Sequence, residues 1–152
     1  TMGFHVKLDT NGSRPGILKA LLEEGLLDYV SMDIKNALKK YLSTIGIPES
    51  VSGFNNLITD SVRQSAELLM QSSIPYEFRT TVVKELHSEE DLLTIGKWLN
   101  GAKAYYLQSF RDSETLVGAV PGQFHAYEPE QMRAFRNLLQ PYFETVETRG
   151  LD

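Results

Sequence analysis

The sequence predicts an α/β fold built on a parallel sheet, and three observations predict it. Four apolar runs have the length of strands and lie near residues 4–9, 29–33, 76–83 and 104–109. A helical pattern follows each of the first three runs, and a longer connection follows the fourth. Strands that alternate with helices form parallel sheets. Each run also stops at a polar residue, and such folds carry their chemistry at the carboxyl ends of the strands.

Composition limits the classes of protein that fit. A chain of 152 residues, 41% hydrophobic and 23% charged, is expected to form one globular domain. Its net charge of −5 includes no long run of one sign, which argues against a nucleic-acid partner. No apolar stretch approaches the roughly 20 residues that span a bilayer, and no signal peptide opens the chain. We therefore expect a cytoplasmic protein with no membrane partner.

The chain contains no cysteine, and its three histidines lack ligand spacing. Disulfides, thiolate nucleophiles and cysteine-ligated zinc or iron–sulfur sites are therefore excluded within these residues. The opening residues read as the end of a helix, capped by Gly3, that turns directly into a strand. On this pattern we interpret the chain as a piece of a longer protein.

Capping signals place the helices of the first half. Ser13 is the predicted N-cap of the first helix, which has Pro15 in its first turn and stops at Gly25. The second strand leads into a short helical stretch around residues 37–41. After a loop-rich segment, a longer helix is predicted over residues 57–71.

The second half continues the pattern. A capping box of Ser88 and Asp91 begins a helix that runs through Trp98. Residues 111–127 are rich in glycine and polar residues and predict a loop, and a helix follows over 128–139. Residues 143–148 alternate well enough to predict a possible last strand, and no linker interrupts the single unit of residues 1–152.

The segment Asp9-Thr10-Asn11-Gly12 lies where the first strand becomes a loop. Asp9 and Thr10 offer oxygen ligands for a cation or a substrate hydroxyl, and Gly12 lets the backbone turn closely. The alternative is an Asx turn with a glycine corner and no function.

Asp33 stands in the same relation to the second strand as Asp9 does to the first. The two carboxylates are expected side by side, where they repel each other unless a cation or a proton lies between them. The alternative is structural: one aspartate caps the helix at Asn36 and the other pairs with Lys35.

Arg79 alternates with Glu77 and Thr81 along the third strand, so we expect these side chains on one face of the sheet. A buried arginine needs an acidic partner or an anionic ligand. The alternative is a structural ion pair with Glu77 or Asp33. Gln108, on the fourth strand, is a weaker candidate.

The histidines are less promising than the carboxylates. His87 precedes a helix cap and is predicted to face solvent. His125 lies in the 111–127 loop, from which it could reach over a pocket.

Four motifs together resemble the last four strands of a radical S-adenosylmethionine domain. They are Val-Lys-Leu-Asp-Thr-Asn-Gly at 6–12, Tyr-Val-Ser-Met-Asp-Ile-Lys at 29–35, Tyr-Glu-Phe-Arg-Thr-Thr-Val-Val at 76–83 and Tyr-Tyr-Leu-Gln-Ser-Phe at 105–110. The likeness covers about residues 3–112. It is greatest to the activating enzymes of anaerobic ribonucleotide reductase and pyruvate formate-lyase.

The resemblance implies a partial parallel barrel, similar to a TIM barrel, to which this chain supplies the last four of six βα units. It implies that a 4Fe-4S cluster reduces S-adenosylmethionine, and that a 5′-deoxyadenosyl radical then takes a hydrogen atom from a glycine of a partner enzyme. By motif match, Asp9, Thr10 and Asp33 lie by the methionine end of the cofactor and help to bind a monovalent cation. Arg79 lies at the cofactor or at the glycine-bearing peptide. Asn11, Lys35 and Gln108, which lie within the same motifs, are also predicted to bind the cofactor.

Two parts of the family pattern are absent: the CxxxCxxC loop that ligates the cluster and a Gly-Gly-Glu motif that holds the cofactor's amino group. This chain cannot bind the cluster, and alone it is expected to be inactive. The missing strands would leave an open edge and an exposed apolar interior, so we expect self-association through that edge. The 111–127 loop is expected to help choose the glycyl-radical partner.

Two other classes of function remain open on the residues alone. The chain could be a small α/β module that binds an anionic metabolite through Lys35 and Arg79. It could also be a divalent-metal-dependent barrel lyase or epimerase that uses Asp9 and Asp33.

Overall fold

The computed structural model describes residues 3–48, 50, 52–112, 120 and 122–151. One sheet contains the strands β1 (Lys7–Thr10), β2 (Tyr29–Asp33), β3 (Tyr76–Val82), β4 (Ala102–Ser109) and β5 (Phe143–Arg149). The strands lie in the order β1-β2-β3-β4-β5, and every neighbouring pair is parallel. The predicted α/β fold is therefore confirmed, and the possible last strand is a full member of the sheet.

The helices are α1 (Pro15–Glu23), α2 (Tyr41–Thr44), α3 (Ser52–Gln71), α4 (Glu89–Trp98) and α5 (Pro129–Leu139). Short 3-10 turns precede α2 and follow α5, at Leu38–Lys40 and Gln140–Tyr142. Parallel strands that follow chain order put their crossover helices on one face, as in a βα barrel. Consistent with this, strand residues such as Phe78 and Tyr105 share one apolar core with helix residues such as Leu92 and Met132.

Two boundaries differ by several residues from the sequence prediction. The first strand was predicted from residue 4 but begins at Lys7, because β2 begins only at Tyr29 and offers no earlier partner. The carbonyl of Val6 instead accepts hydrogen bonds from the backbone N–H groups of Asp28 and Tyr29. The long helix begins at Ser52 rather than at residue 57.

The prediction of Ser13 as the N-cap of α1 is wrong. The cap position is Arg14, which makes no side-chain capping bond, and Pro15 follows it in the first turn. The backbone N–H of Ser13 donates to Asn11 Oδ1 at 3.0 Å, which is the Asx turn considered as an alternative for this segment. Because that turn already orders the chain before α1, the hydroxyl of Ser13 is not needed there.

The capping box of α4 is confirmed. Ser88 Oγ accepts from the backbone N–H of Asp91 at 3.2 Å, and Asp91 Oδ2 accepts from the backbone N–H of Ser88 at 2.9 Å. Lys40 Nζ lies 2.9 Å from the same carboxylate oxygen. Burial alone would raise the pKa of Asp91, but these hydrogen bonds and the charge of Lys40 outweigh it and lower the pKa.

The face of the sheet away from the helices is polar, and we call it the polar face. Its strand residues include Lys7, Asp9, Tyr29, Ser31, Asp33, Glu77, Arg79, Thr81, Tyr106, Gln108 and Arg149. The expectation of an exposed apolar interior is therefore wrong, because charged residues pair with one another across this face. Exposed apolar side chains flank the edge strand β1 instead, at Phe4, Val6 and Leu26. Self-association through that edge stays a prediction.

No helix within the described part of the chain is long and apolar enough to cross a bilayer.

Gly96 lets α4 pack closely against the turn that follows α5. A Cβ added at Gly96 would lie 2.9 Å from Tyr142 Cδ2 and 3.0 Å from Leu139 Cδ2. We expect Gly96→Ala to lower the free energy of unfolding by about 1–3 kcal/mol, the usual cost of overpacking. Urea denaturation followed by circular dichroism measures this change.

Gly16→Ala is the matched control for Gly96→Ala. Gly16 also lies in a helix, but a Cβ added there meets no atom within 4 Å. We expect this variant to be neutral or more stable by up to about 1 kcal/mol, because alanine restricts the unfolded chain. Equal losses in the two variants would contradict the packing argument.

Candidate functional site

The sheet register brings the predicted strand-end residues onto the polar face. Asp9 of β1 is level with Ser31 of β2, which is level with Glu77 of β3. Asp33, the last residue of β2, is level with Arg79. Because β1, β2 and β3 are neighbours and all parallel, the two aspartates approach the arginine from two strands.

Four charged side chains meet there, and we call them the rim cluster: Asp9, Asp33, Lys35 and Arg79. Arg79 Nε donates to Asp33 Oδ1 at 2.6 Å, and Arg79 Nη1 lies 3.6 Å from Asp9 Oδ1. Lys35 Nζ lies 3.4 Å from Asp33 Oδ2. The guanidinium of Arg79 therefore supplies a positive charge that the two carboxylates were expected to need.

Exposure and electrostatics divide the rim cluster into an inner and an outer pair. The side chains of Arg79 and Asp33 are 25% and 28% exposed, whereas those of Lys35 and Asp9 are 47% and 59% exposed. Burial alone would lower the pKa of Arg79, but its hydrogen bond to Asp33 and the nearby carboxylates raise it. Arg79 thus stays charged and holds Asp33, while Lys35 and Asp9 remain accessible to a ligand.

The other predicted site residues are more dispersed. Thr10 is level with the core residue Met32 and so belongs to the helix-covered face, and its hydroxyl accepts from the backbone N–H of Gly12 at 3.1 Å. Asn11 is exposed and forms the Asx turn. Gln108 lies on the polar face, level with Thr81 and partly buried.

A second group of side chains, which sequence reasoning missed, fills the middle of the polar face. We call it the Glu77 network. The buried carboxylate of Glu77 accepts from Arg149 Nη1 at 3.0 Å, from Arg149 Nη2 at 3.3 Å and from the hydroxyl of Tyr29 at 2.9 Å. The Arg149 guanidinium also stacks 3.6 Å from the ring centre of Tyr106. Burial and the bond to Glu77 raise the pKa of Tyr29 to about 12, so this hydroxyl remains a donor.

The prediction that His87 faces solvent is wrong. His87 is only 2% exposed, and its ring bridges the turn after β3 to the segment after β2. Sequence reasoning considered only the neighbouring helix cap, whereas the partners of the ring are Val83 and Lys35. The distant partner, Lys35, could not be read from local pattern.

His125 lies outside the rim cluster and pairs with Glu85. Its ring Nδ1 lies 2.5 Å from Glu85 Oε1, and its backbone N–H donates to Glu85 Oε2 at 2.9 Å. The 111–127 loop, which was expected to help choose a partner enzyme, is described only at residues 111, 112, 120 and 122–127. The rest of that prediction lies outside the described residues.

The described residues do not form a site built for a multivalent metal ion. No group of three or more acidic or histidine side chains in residues 3–48, 50, 52–112, 120 and 122–151 is arranged to hold one. The rim cluster instead combines two carboxylates with two cationic groups. Such a cluster is suited to a small ligand that itself carries both charges.

Comparisons with known proteins bear on the fold and on the family resemblance. No protein-family model matches the chain. One relative is a Methanocaldococcus jannaschii protein that is provisionally named a glycyl-radical enzyme activating enzyme. It is 31% identical to this chain over an alignment 155 residues long, and the alignment covers 99% of this chain and 60% of that protein. The chain thus spans about three-fifths of the length of the curated relative it matches.

A solved structure shares the fold. It is the crystal structure of a domain of pyruvate-formate lyase-activating enzyme from Bacteroides vulgatus, with a TM-score of 0.67 and 15% identity. The match covers 97% of this chain and 83% of that chain. The five-stranded parallel sheet is thus that of a partial βα barrel. The resemblance to the activating enzymes of glycyl-radical enzymes, first indicated by the four motifs, is confirmed.

Proposed function

We propose that this chain is part of a glycyl-radical enzyme activating enzyme, and that its rim cluster binds the methionine end of S-adenosylmethionine. The observation that carries the proposal is the convergence of the rim cluster on one place, at positions that the resemblance assigns to the cofactor. The methionine end carries a carboxylate and an ammonium group. A cluster with two charges of each sign offers a partner to both.

The four side chains have separate tasks in this proposal. The 2.6 Å bond between Arg79 and Asp33 is the fixed centre, because it is the least exposed pair. Lys35 is half exposed and only 3.4 Å from Asp33, so its ammonium group can turn to the methionine carboxylate. Asp9, the most exposed carboxylate of the cluster, receives the methionine ammonium. A monovalent cation held by Asp9, Thr10 and Asp33 stays a prediction.

If the rim cluster holds S-adenosylmethionine in this way, the bound and reduced cofactor would supply the radical that takes a hydrogen atom from a glycine of the partner enzyme. The residues of this chain do not fit the 4Fe-4S cluster that such chemistry requires, because the chain has no cysteine. The proposal places the ligands of that cluster outside these 152 residues. We expect the partner to be a glycyl-radical enzyme of the ribonucleotide reductase or formate-lyase type, and we expect both proteins to be cytoplasmic.

The proposal is tested with the protein that the complete reading frame encodes, purified without oxygen and reconstituted with iron and sulfide. We expect this protein to bind S-adenosylmethionine and, when a reductant is added, to release 5′-deoxyadenosine and methionine. Co-incubation with a glycyl-radical enzyme is expected to give the electron paramagnetic resonance signal of a glycyl radical. Residues 1–152 alone, the control, are expected to give neither product. Failure of the complete protein to bind S-adenosylmethionine would overturn the proposal.

A further inference from the structure

We infer that Tyr41 and His87 act as a clamp on the backbone of Lys35, and that this clamp positions the Lys35 ammonium group for an anionic ligand. The inference rests on the proposed function, since it takes the ligand of Lys35 to be the carboxylate of S-adenosylmethionine. Tyr41 and His87 are then positioning residues, which act through Lys35 and do not touch the ligand.

The clamp holds both backbone polar groups of Lys35, which lies two residues beyond the end of β2. The N–H of Lys35 donates to the hydroxyl of Tyr41 at 3.2 Å. Its carbonyl lies 2.7 Å from His87 Nε2. Two side chains, one six and one 52 residues further along the chain, therefore satisfy the backbone groups that a helix or a sheet would otherwise satisfy.

The tautomer of His87 follows from its second contact. His87 Nδ1 accepts from the backbone N–H of Val83 at 3.0 Å, so the ring proton must lie on Nε2. Nε2 accordingly donates to the carbonyl of Lys35. Burial lowers the pKa of His87, which keeps the ring neutral in this arrangement near pH 7.

The two clamping rings are buried, whereas the side chain that they position is half exposed. Tyr41 and His87 are each 2% exposed, whereas the side chain of Lys35 is 47% exposed. Fixing the two peptide groups that flank a residue fixes the direction in which its side chain leaves the backbone. A long lysine side chain still has rotatable bonds, so a fixed starting point reduces the conformations that a ligand must select.

The segment after β2 and the turn after β3 would remain connected without His87. The buried Asn36 already connects them, because its Nδ2 donates to the carbonyl of Leu86 at 2.9 Å and to Thr44 Oγ1 at 3.0 Å. The bond from His87 adds a contact at Lys35 itself. That location, at the accessible cation of the rim cluster, indicates a positioning role.

Two substitutions of His87 separate the clamp from the stability of the turn. Glutamine can place an amide N–H near the position of Nε2, so His87→Gln keeps the donor to Lys35 and loses the acceptor for Val83. Asparagine can place its amide oxygen near the position of Nδ1, so His87→Asn keeps the acceptor and loses the donor. Each variant loses one buried hydrogen bond, and we expect similar decreases in melting temperature.

The test measures the dissociation constant of S-adenosylmethionine by isothermal titration calorimetry, with the complete protein that contains this chain. We expect His87→Asn and Tyr41→Phe to raise the dissociation constant about tenfold. The dissociation constant of His87→Gln is expected to stay within about threefold of the wild-type value. The Lys35→Met variant measures how much affinity is lost when the ammonium group is absent.

The outcomes distinguish failure of this inference from failure of the proposed function. If the wild type binds and His87→Asn binds equally well, or if both His87 variants lose equal affinity, the clamp is overturned. If Lys35→Met binds as tightly as the wild type, the target of the clamp is wrong. If the wild type does not bind S-adenosylmethionine, the proposed function itself is overturned, and the clamp with it.

Discussion

Replacement of Arg149 by methionine is expected to lower the free energy of unfolding by about 3 kcal/mol, the largest loss expected from any single residue of the polar face. The reason is the environment of Glu77, whose side chain is 3% exposed and whose charge would lose both hydrogen bonds from the guanidinium. Among the described residues, only the hydroxyl of Tyr29 would remain as a donor to this carboxylate. Denaturant unfolding of wild type and variant measures the difference.

Substitution of the partner residue, Glu77→Gln, is expected to lower the free energy of unfolding by less, about 1 kcal/mol. The side chain of Arg149 is 42% exposed and stacks on Tyr106, so water can solvate it when its partner loses charge. The double variant is expected to be more stable than Arg149→Met alone, since it leaves no charge buried without a partner. Equal losses from the two single substitutions would contradict this account of the Glu77 network.

The rim cluster was predictable because its parts follow from local pattern. Asp9 and Asp33 each stand near the end of a short apolar run, and parallel pairing of adjacent strands brings such positions together. Arg79 was expected to need an anionic partner, and the alternative of an ion pair with Asp33 is present in the structure. The alternation of a strand also implied that Thr10 faces away from Asp9, although the motif match placed both at the cofactor.

The Glu77 network was not predictable in the same way. Arg149 and Glu77 are separated by 72 residues, and their contact depends on β5 pairing with β4. The strand over 143–148 was foreseen only as a possible element, with no partner assigned. Once β5 is placed beside β4, Arg149 falls level with Gln108 on the polar face and can reach Glu77 across Tyr106. Long-range pairing, which local propensity does not encode, was the missing information.

Replacement of Arg79 by glutamine is expected to weaken binding of S-adenosylmethionine by about 10- to 100-fold, or about 1.4–2.7 kcal/mol. The substitution removes the charge that faces both Asp33 and Asp9, at 2.6 and 3.6 Å, and leaves Asp33 with Lys35 and Asp9 with Lys7, at 3.4 and 3.7 Å. With less positive charge at this place, the two carboxylates of the cluster repel the carboxylate of the ligand more strongly. The measurement is the dissociation constant with the complete protein, in low and in high salt.

Arg63→Gln is the matched control, because Arg63 is half exposed on α3 and pairs with Asp60, one turn away on the same helix. We expect that variant to bind S-adenosylmethionine as tightly as the wild type, since surface ion pairs of this kind contribute little. An equal loss of affinity in both variants would show that the effect is one of net charge and not of the rim cluster.

The double variant Asp33→Asn with Arg79→Gln decides what the arginine contributes to binding. If Arg79 only neutralises Asp33, removal of both charges restores the balance of the cluster, and affinity returns to within about threefold of the wild type. If Arg79 also attracts the ligand's carboxylate, affinity stays low in the double variant. We expect the first result, because Arg79 is engaged with Asp33 at 2.6 Å and the proposed partner of the ligand's carboxylate is Lys35. Affinity that stays low in the double variant would show that Arg79 itself attracts the carboxylate, and would contradict this division of tasks.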